Sequence, residues 1–567
     1  MSAVQRILGL AMNTAAEIYT RKFETDTINA VAVNEKVLKR ILHLNRDSAY
    51  GRLHKFQAIS NVKEYKQRVP LTTYNDYEPY IERMATGEKN VLTSLPVIYF
   101  GLSSGTTGRQ KLIPVTSVSR KLVNTHMMLL TQGILHRSIP GHRSDRRGLL
   151  LMNSARNGST SGGIPVGAAT SSGMASMKAI TPYLWTSPPE ILELTDQRTA
   201  LYLHLLFALR EKELGFINAP FPSSILHLFR VLEEEWSNLT ADLAKGSLSK
   251  HLNLEPEIRA ALQKRLLPDP GRAEQLASEI SRGMTGIALR LWPRMQYICC
   301  VAGGSFKIYM DKLQLYIGQL PVYSAVYSAT EAMVGIAIRP GETSYVLTPR
   351  TAFFEFIPAD QLDKSNPATL NLNQLEPGQS YEVVVTNYAG LYRYRLGDII
   401  KVTGYFNNSP VIEFLHRKGQ LLNLAGEKTL EEAVYCALGK AARQWGCVLV
   451  DYTTALDLDT SPGRYVFFVE VLNPEGLTDM TQCRDVLEKA LEEANPRYGA
   501  NLKAGRIGNL SLRVVKPGTF QELQQRLIAK GASMNQVKVP RLVEDQKLLQ
   551  FLSRSVINSK CEQGLAQ

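Results

Sequence analysis

Cysteine is scarce in this chain: Cys299, Cys300, Cys436, Cys447, Cys483 and Cys561 are all that 567 residues contain. No two have C-x-x-C spacing, which excludes a zinc ribbon and a thioredoxin-type motif. So few in so long a chain read as buried thiols of a reducing compartment, not as a disulfide framework. Long hydrophobic runs are missing too. No stretch reaches the ~18–20 apolar residues that a membrane helix needs. The opening segment MSAVQRILGLAMNTAAEIYTRKF alternates apolar and polar residues at helical spacing. It has no continuous apolar core with a small-residue cleavage site, so no signal peptide is expected and the default location is cytoplasmic. The nine histidines show no metal-ligand spacing, so no structural metal is expected. Acidic residues fall short of basic ones, 52 against 65, for a net charge of +13. Such an excess suits nucleic acid, an anionic membrane or an anionic small substrate. It is spread along the chain, not packed into a tail, which weakens the first two.

What is present is ordinary globular composition, 44% hydrophobic and 21% charged, which excludes a disordered or fibrous chain. The length suits three to four domains, or one large domain with a small one. No internal repeat or low-complexity tract stands out. Residues 1–90 predict helices, with Leu38, Ile41, Leu42 and Leu53 at roughly helical spacing. Val97–Phe100 and Leu112–Val115 are apolar strands around a small-residue turn, a hairpin pattern. Gly148–Met152 predicts a buried strand opening into the Ser/Gly/Thr/Ala-rich stretch 153–173, a loop beside a ligand or a linker. Amphipathic helices are expected over 196–213 and 223–246, and a strand over 296–305 ending in Gly303-Gly304. Short strands and turns fill 320–415. Beyond the polar, basic segment 416–420 the pattern becomes helix, two strands, helix, strand and helix, an independent α+β domain. The expected division is 1–416 and 417–567, in a mixed α/β (α+β) fold.

Four segments carry chemistry. In Ser103-Ser104-Gly105-Thr106-Thr107-Gly108-Arg109-Gln110-Lys111, glycines can turn backbone N–H groups toward an anion, and hydroxyls and cations add donors. This is the composition of a phosphate cradle, and equally of a hydrophilic hairpin. It is not a Walker A loop, because Gln110 precedes Lys111 and Leu112 follows it. In Tyr327-Ser328-Ala329-Thr330-Glu331, an aromatic can cover a purine face, a hydroxyl can donate to phosphate and a carboxylate can hold Mg²⁺. A strand end with a surface Glu has the same appearance. In Tyr392-Arg393-Tyr394-Arg395-Leu396-Gly397-Asp398, the Asp after a Gly can accept from two vicinal hydroxyls, as acidic residues do with ribose. It is also a common turn residue. The fourth, His416-Arg417-Lys418-Gly419-Gln420 with Leu424–Lys428 behind it, falls on the domain boundary, where hinges and solvated linkers both occur.

In this order the four motifs resemble the adenylate-forming superfamily of acyl-CoA synthetases, peptide-synthetase adenylation domains and luciferases. Within it the chain is most similar to the auxin-responsive Gretchen Hagen family of acyl acid amido synthetases and its bacterial relatives. Tyr323–Glu331, Ser344-Tyr345 through Phe353–Phe356, Leu391–Gly404, Gly518-Thr519-Phe520 and Gly531–Arg541 carry the likeness, which runs from about residue 30 to 560. The chain has Thr-Thr-Gly-Arg-Gln-Lys where plant members carry Ser and an acidic residue between Gly and Lys, and Ala-Thr-Glu where Ser-Ser-Glu is common. Both departures keep the hydroxyl and carboxylate chemistry.

The resemblance implies a large adenylate-forming N-terminal domain, with sheets flanked by helices and a small barrel-like part, and a small mobile C-terminal domain. It implies ATP and Mg²⁺, a small carboxylic acid and an amino acid as substrates, no nucleic acid or membrane partner, and a monomer or homodimer. Ser103, Ser104, Thr106 and Thr107 would hold phosphate. Gly303 and Gly304 would approach adenine beside Tyr327. Thr330 and Glu331 would serve phosphate and Mg²⁺, Asp398 and Arg417 ribose, and Lys428 and Lys538 would supply charge from the small domain. His126 and Asn124, on a helix after the first loop, either line an acyl pocket or face the core. No Ser-His-Asp pattern is needed, since charge stabilisation and positioning carry such chemistry. A thiol acceptor in place of the amine, and a basic binding protein without catalysis, are the rival readings.

Overall fold

The computed structural model describes residues 3–102, 111–152, 158–168, 181–194, 196–303, 306–364, 366–418, 422, 424, 427, 429–457, 459–460, 462–474, 477, 479–503, 507–532 and 537–557. These fall into two compact units, 3–102 with 111–415 and 416–532 with 537–557.

The first unit begins with helices, as the sequence predicts. Helix Ala30–Asn45 buries Ala30, Asn34, Val37, Leu38, Ile41, Leu42 and Asn45, one face at a 3.6-residue period. Its one mid-helix polar core residue is used as a fastener. Asn34 Nδ2 donates to the carbonyls of Pro349 (2.8 Å) and Ala352 (2.7 Å), and Asn34 Oδ1 accepts from Phe354 N–H. That fixes the helix to strand Phe353–Pro358.

Three sheets follow. Strands Gly148–Leu150, Phe216–Asn218, Tyr297–Cys299 and Val322–Tyr323 form a parallel sheet in that order. Parallel neighbours require crossovers, here through helices such as Gln197–Leu209, Pro222–Lys245 and Lys307–Ile317. Strands Val97–Leu102 and Leu112–Thr116 pair antiparallel, the expected hairpin, and Pro165–Ala168 joins the first of them in parallel. The third sheet has seven strands, built largely of antiparallel pairs, in the order Phe353–Pro358, Ser380–Thr386, Tyr394–Phe406, Ser409–Arg417, Ser344–Leu347, Met333–Ile336, Val326–Ser328.

The second unit packs helices including Glu431–Gln444, Met480–Ala494 and Thr519–Ala529 with a sheet of Val448–Asp457, Arg464–Leu472 and Gly508–Val514. The first two strands are antiparallel and the last two parallel. A buried carboxylate accounts for the Gly518-Thr519-Phe520 sequence. Glu470 accepts from Gly518 N–H (2.8 Å) and Phe520 N–H (3.0 Å), capping the helix that starts at Thr519, while Gly518 takes the positive φ of +84°.

Three expectations are corrected. The strand expected over 296–305 is only Tyr297–Cys299, because Val301 N–H turns to Pro220 O instead of continuing the ladder. The helix expected over 196–213 ends at Leu209, since the chain must turn for Gly215 N–H to reach Arg147 O (2.9 Å) and start the next strand. Cys436 is exposed, on the solvent side of helix Glu431–Gln444, whereas Cys300, Cys447 and Cys483 are buried thiols as expected. Among the described residues no helix is long and apolar enough to cross a membrane.

Candidate functional site

The seven-stranded sheet gathers two of the motifs. Along strand Tyr394–Phe406, Ile399 faces Glu382 but Arg395 faces Val384. Leu396, Gly397 and Asp398 therefore oppose the single residue Val383, in a bulge where Gly397 adopts φ +75°. Bulges re-aim side chains, and this one carries Asp398 to Tyr327 of strand Val326–Ser328. Tyr327 Oη donates to Asp398 Oδ2 at 2.9 Å. Asp398 is only 3% exposed, and a buried carboxylate needs such a donor. The Tyr327 ring lies in the core against Tyr345 and Phe414, with centroids 5.8 and 5.7 Å away. Its hydroxyl is thus engaged with Asp398.

Thr330 and Glu331 stand at the corner of the hairpin between Val326–Ser328 and Met333–Ile336, closed by Ala329 N–H to Ala332 O at 2.8 Å. Both side chains are half-buried. Tyr394 Oη reaches Glu331 Oε1 at 3.5 Å, and Asn387 Nδ2 donates to the Glu331 carbonyl at 2.8 Å. The first hydrogen bond comes from the same strand as Asp398. Residues 327–331 and 387–398 thus form one connected patch.

Of the remaining candidates in this unit, Gly303 is half-buried, and a Cβ there would stand 3.5 Å from Thr343 Cβ. His126 takes the core alternative. It is 2% exposed, its Nδ1 lies 3.1 Å from Tyr19 Oη and 2.9 Å from Leu122 O, and burial lowers its pKa to about 4. Lys111, at the end of the first motif, sits over the Tyr74 ring at 5.3 Å, and Tyr74 Oη accepts from Leu112 N–H at 3.0 Å. Ser103, Ser104, Thr106, Thr107, Gly304 and Lys428 lie outside the described residues.

In the second unit Arg417 is half-buried and ends strand Ser409–Arg417. Next to Lys428, Glu427 is 2% exposed and fully engaged. It accepts from Leu424 N–H (2.6 Å), Tyr465 Oη (2.5 Å) and Asn501 Nδ2 (3.2 Å). Lys538 is exposed, three residues before an anchor. Arg541 is 8% exposed, ion-paired to Asp451 (2.6 Å) and Glu431 (3.4 Å), and stacked over Tyr452 at 4.3 Å. Thr454 N–H donates to Arg541 O and Val543 N–H to Thr454 O, so the segment runs along strand Val448–Asp457 like an added strand.

Sequence reasoning passed over several residues. Arg393, inside the third motif, is buried with φ +46°. Its guanidinium grips Glu355 (3.0 Å), Lys66 O and Val69 O. Arg395 pairs with the buried Glu382. The motif's two arginines therefore brace the sheet from behind, and its Tyr394 and Asp398 face the patch. Asn387 was also overlooked; as a polar residue between the apolar strand Ser380–Thr386 and Gly390 it reads as turn chemistry alone.

Family models match most of the chain: the GH3 family N-terminal domain over residues 19–322, the GH3 family central domain over 345–417 and the GH3 family C-terminal domain over 432–547. A jasmonoyl–L-amino acid synthetase, JAR6 of Nicotiana attenuata, is 34% identical over 564 residues, covering 95% of this chain and 96% of that protein. The indole-3-acetic acid-amido synthetase GH3.3 of Arabidopsis thaliana is 32% identical, covering 95% and 94%. The solved structure of AtGH3.15 acyl acid amido synthetase in complex with 2,4-DB superposes with a TM-score of 0.84 at 30% identity, covering 95% of this chain and 96% of that one.

Proposed function

This chain belongs to the GH3 family, and on that premise we infer that it is an ATP-dependent acyl acid amido synthetase. A carboxylate oxygen of the acid attacks the α-phosphorus of ATP and pyrophosphate leaves, giving an acyl-adenylate. The amine of an amino acid then attacks the activated carbonyl carbon, loses a proton and expels AMP, leaving an amide. No protein side chain forms a covalent bond, so the protein's task is to hold charge and geometry.

The observation that carries this reading is the patch in which Asp398, oriented by Tyr327, lies on the same sheet as the Thr330–Glu331 corner. On it, Asp398 accepts from the ribose hydroxyls, Thr330 donates to phosphate and Glu331 serves the nucleotide's phosphates; the family resemblance assigns Arg417 to ribose as well. The family resemblance assigns phosphate to Ser103, Ser104, Thr106 and Thr107, adenine to Gly303 and Gly304, and a source of positive charge to Lys428 and Lys538. Mg²⁺ fits this donor set. Among the described residues no cluster of three or more His, Cys, Asp or Glu forms a metal cage. Mg²⁺ instead takes one or two carboxylates together with nucleotide phosphates and water, and Glu331 supplies such a carboxylate. Bound there, the ion would neutralise charge on the departing pyrophosphate.

The second unit, 417–567 on our reading, is a mobile domain that turns about 416–420 between the two half-reactions. The sparse cysteines, none at C-x-x-C spacing, support a reducing, cytoplasmic setting. ATP–pyrophosphate exchange across a panel of aryl and alkyl acids tests the first half-reaction. Exchange with at least one acid is expected; none from any acid would remove the adenylation reading.

A further inference from the structure

The carbonyl of Glu331 is held by one side chain from a distant part of the chain. Asn387 directly follows strand Ser380–Thr386 and is 5% exposed. Its Oδ1 accepts from Ala389 N–H (2.9 Å) and Leu391 N–H (3.1 Å), and its own N–H donates to Leu391 O (2.9 Å). With the side-chain oxygen committed to two donors, the amide nitrogen must face the other way, and there it donates to Glu331 O at 2.8 Å. The turn it ties is itself constrained. Gly390 adopts φ +104°, and a Cβ there would come within 2.6 Å of Leu92 Cβ. Beyond the turn, Arg393 is locked by Glu355, and Tyr394 presents its hydroxyl to the Glu331 carboxylate.

From these contacts we propose that Asn387 is a positioning residue for Glu331, acting with Tyr394: the amide fixes the Glu331 peptide and the phenol steers its carboxylate toward the nucleotide-bound Mg²⁺. The inference rests on the reading of Glu331 as the Mg²⁺ carboxylate. Only an amide serves at 387. Asp keeps both turn acceptors but sets a carboxylate oxygen against a carbonyl, and Ala keeps neither contact. The hairpin corner is short, closed by Ala329 N–H to Ala332 O and by the Ser328 hydroxyl, and the Asn387 amide ties it to the neighbouring turn at the Glu331 peptide itself.

The test is ATP binding, measured by calorimetry with and without Mg²⁺, in the full chain and in Asn387→Asp, Tyr394→Phe, Glu331→Gln and the double variant Asn387→Asp/Glu331→Gln, each first checked for a wild-type melting transition. In the absence of Mg²⁺ Asn387→Asp and Tyr394→Phe should bind ATP as the full chain does. Mg²⁺ should tighten ATP binding to the full chain, and Asn387→Asp should lose most of that tightening, about tenfold or more, with Tyr394→Phe losing a smaller part. In the double variant Asn387→Asp should add nothing to Glu331→Gln, because a residue acting only through Glu331 has no effect once that carboxylate is gone. Full Mg²⁺ tightening in Asn387→Asp, or additive losses in the double variant, would overturn the proposal. Should Asn387→Asp not fold, Tyr394→Phe decides on its own: unchanged tightening there overturns it equally. Glu331→Gln that keeps the full Mg²⁺ effect would instead strike at the Mg²⁺ assignment, so the two failures are told apart.

Discussion

At the scale of single residues, the division of labour inside a motif is the main result. Glu331 is half-buried, and among its hydrogen bonds are one at its carbonyl from Asn387 and one at its carboxylate from Tyr394. Glu331→Ala should melt as the wild type does while pyrophosphate exchange falls on the order of 10²–10³-fold, the scale of losing one preorganised charge-stabilising group. Near-normal exchange from the folded variant would remove Glu331 from the phosphate site. Three buried histidines make a second prediction. Burial lowers His126 and His142 to about 4 and His204 to about 3. In the unfolded chain each titrates near 6.5, so the unfolded state takes up protons first as pH falls. Their stabilising effect is full above about 6.5 and is lost on acidification, by up to about 1.4 kcal/mol per pH unit for each histidine. The urea midpoint should drop between pH 6.5 and pH 5, above the range where carboxylates titrate. A midpoint that stays flat over that window would contradict the assignment of neutral, buried rings.

At the scale of elements, the sequence reveals strands and helices wherever a pattern is local. The hairpin of Val97–Leu102 with Leu112–Thr116 and the helix–strand order beyond residue 429 were legible in that way. What sequence could not reveal is pairing at long range. The strand Phe216–Asn218 is three residues long and carries no periodicity, yet it is a central member of the parallel sheet. The bulge at Leu396–Asp398 likewise exists only as a mismatch of register with Ser380–Thr386. The site was readable as residue types, Tyr327, Thr330, Glu331 and Asp398, but the hydrogen bond that joins Tyr327 to Asp398 spans 71 positions and was not. The arginines of the third motif and Asn387 share the same explanation, since their partners Glu355, Glu382 and Glu331 are remote in sequence. The junction at 416–420 belongs to this scale as well. On our reading it bends between half-reactions. Lys418→Pro restricts φ there and disfavours the helical region for Arg417. Pyrophosphate exchange and acyl transfer should then suffer unequally. Equal losses in both would speak against a hinge.

At the scale of the whole molecule, the family match runs through both units, with separate models over the N-terminal, central and C-terminal parts. The net charge of +13 suits its substrates, because ATP, the acid and the amino acid's carboxylate are all anionic and a positive field raises their local concentration. The central claim is that the acyl group passes from an adenylate to an amine. It is tested most directly by incubating the protein with ATP, Mg²⁺ and mixed carboxylic acids, then offering amino acids to one half and coenzyme A to the other, with mass spectrometry of the products. The account predicts AMP and a new amide that require acid, ATP and amino acid together. A coenzyme A thioester, with no amide from any amino acid, would contradict it.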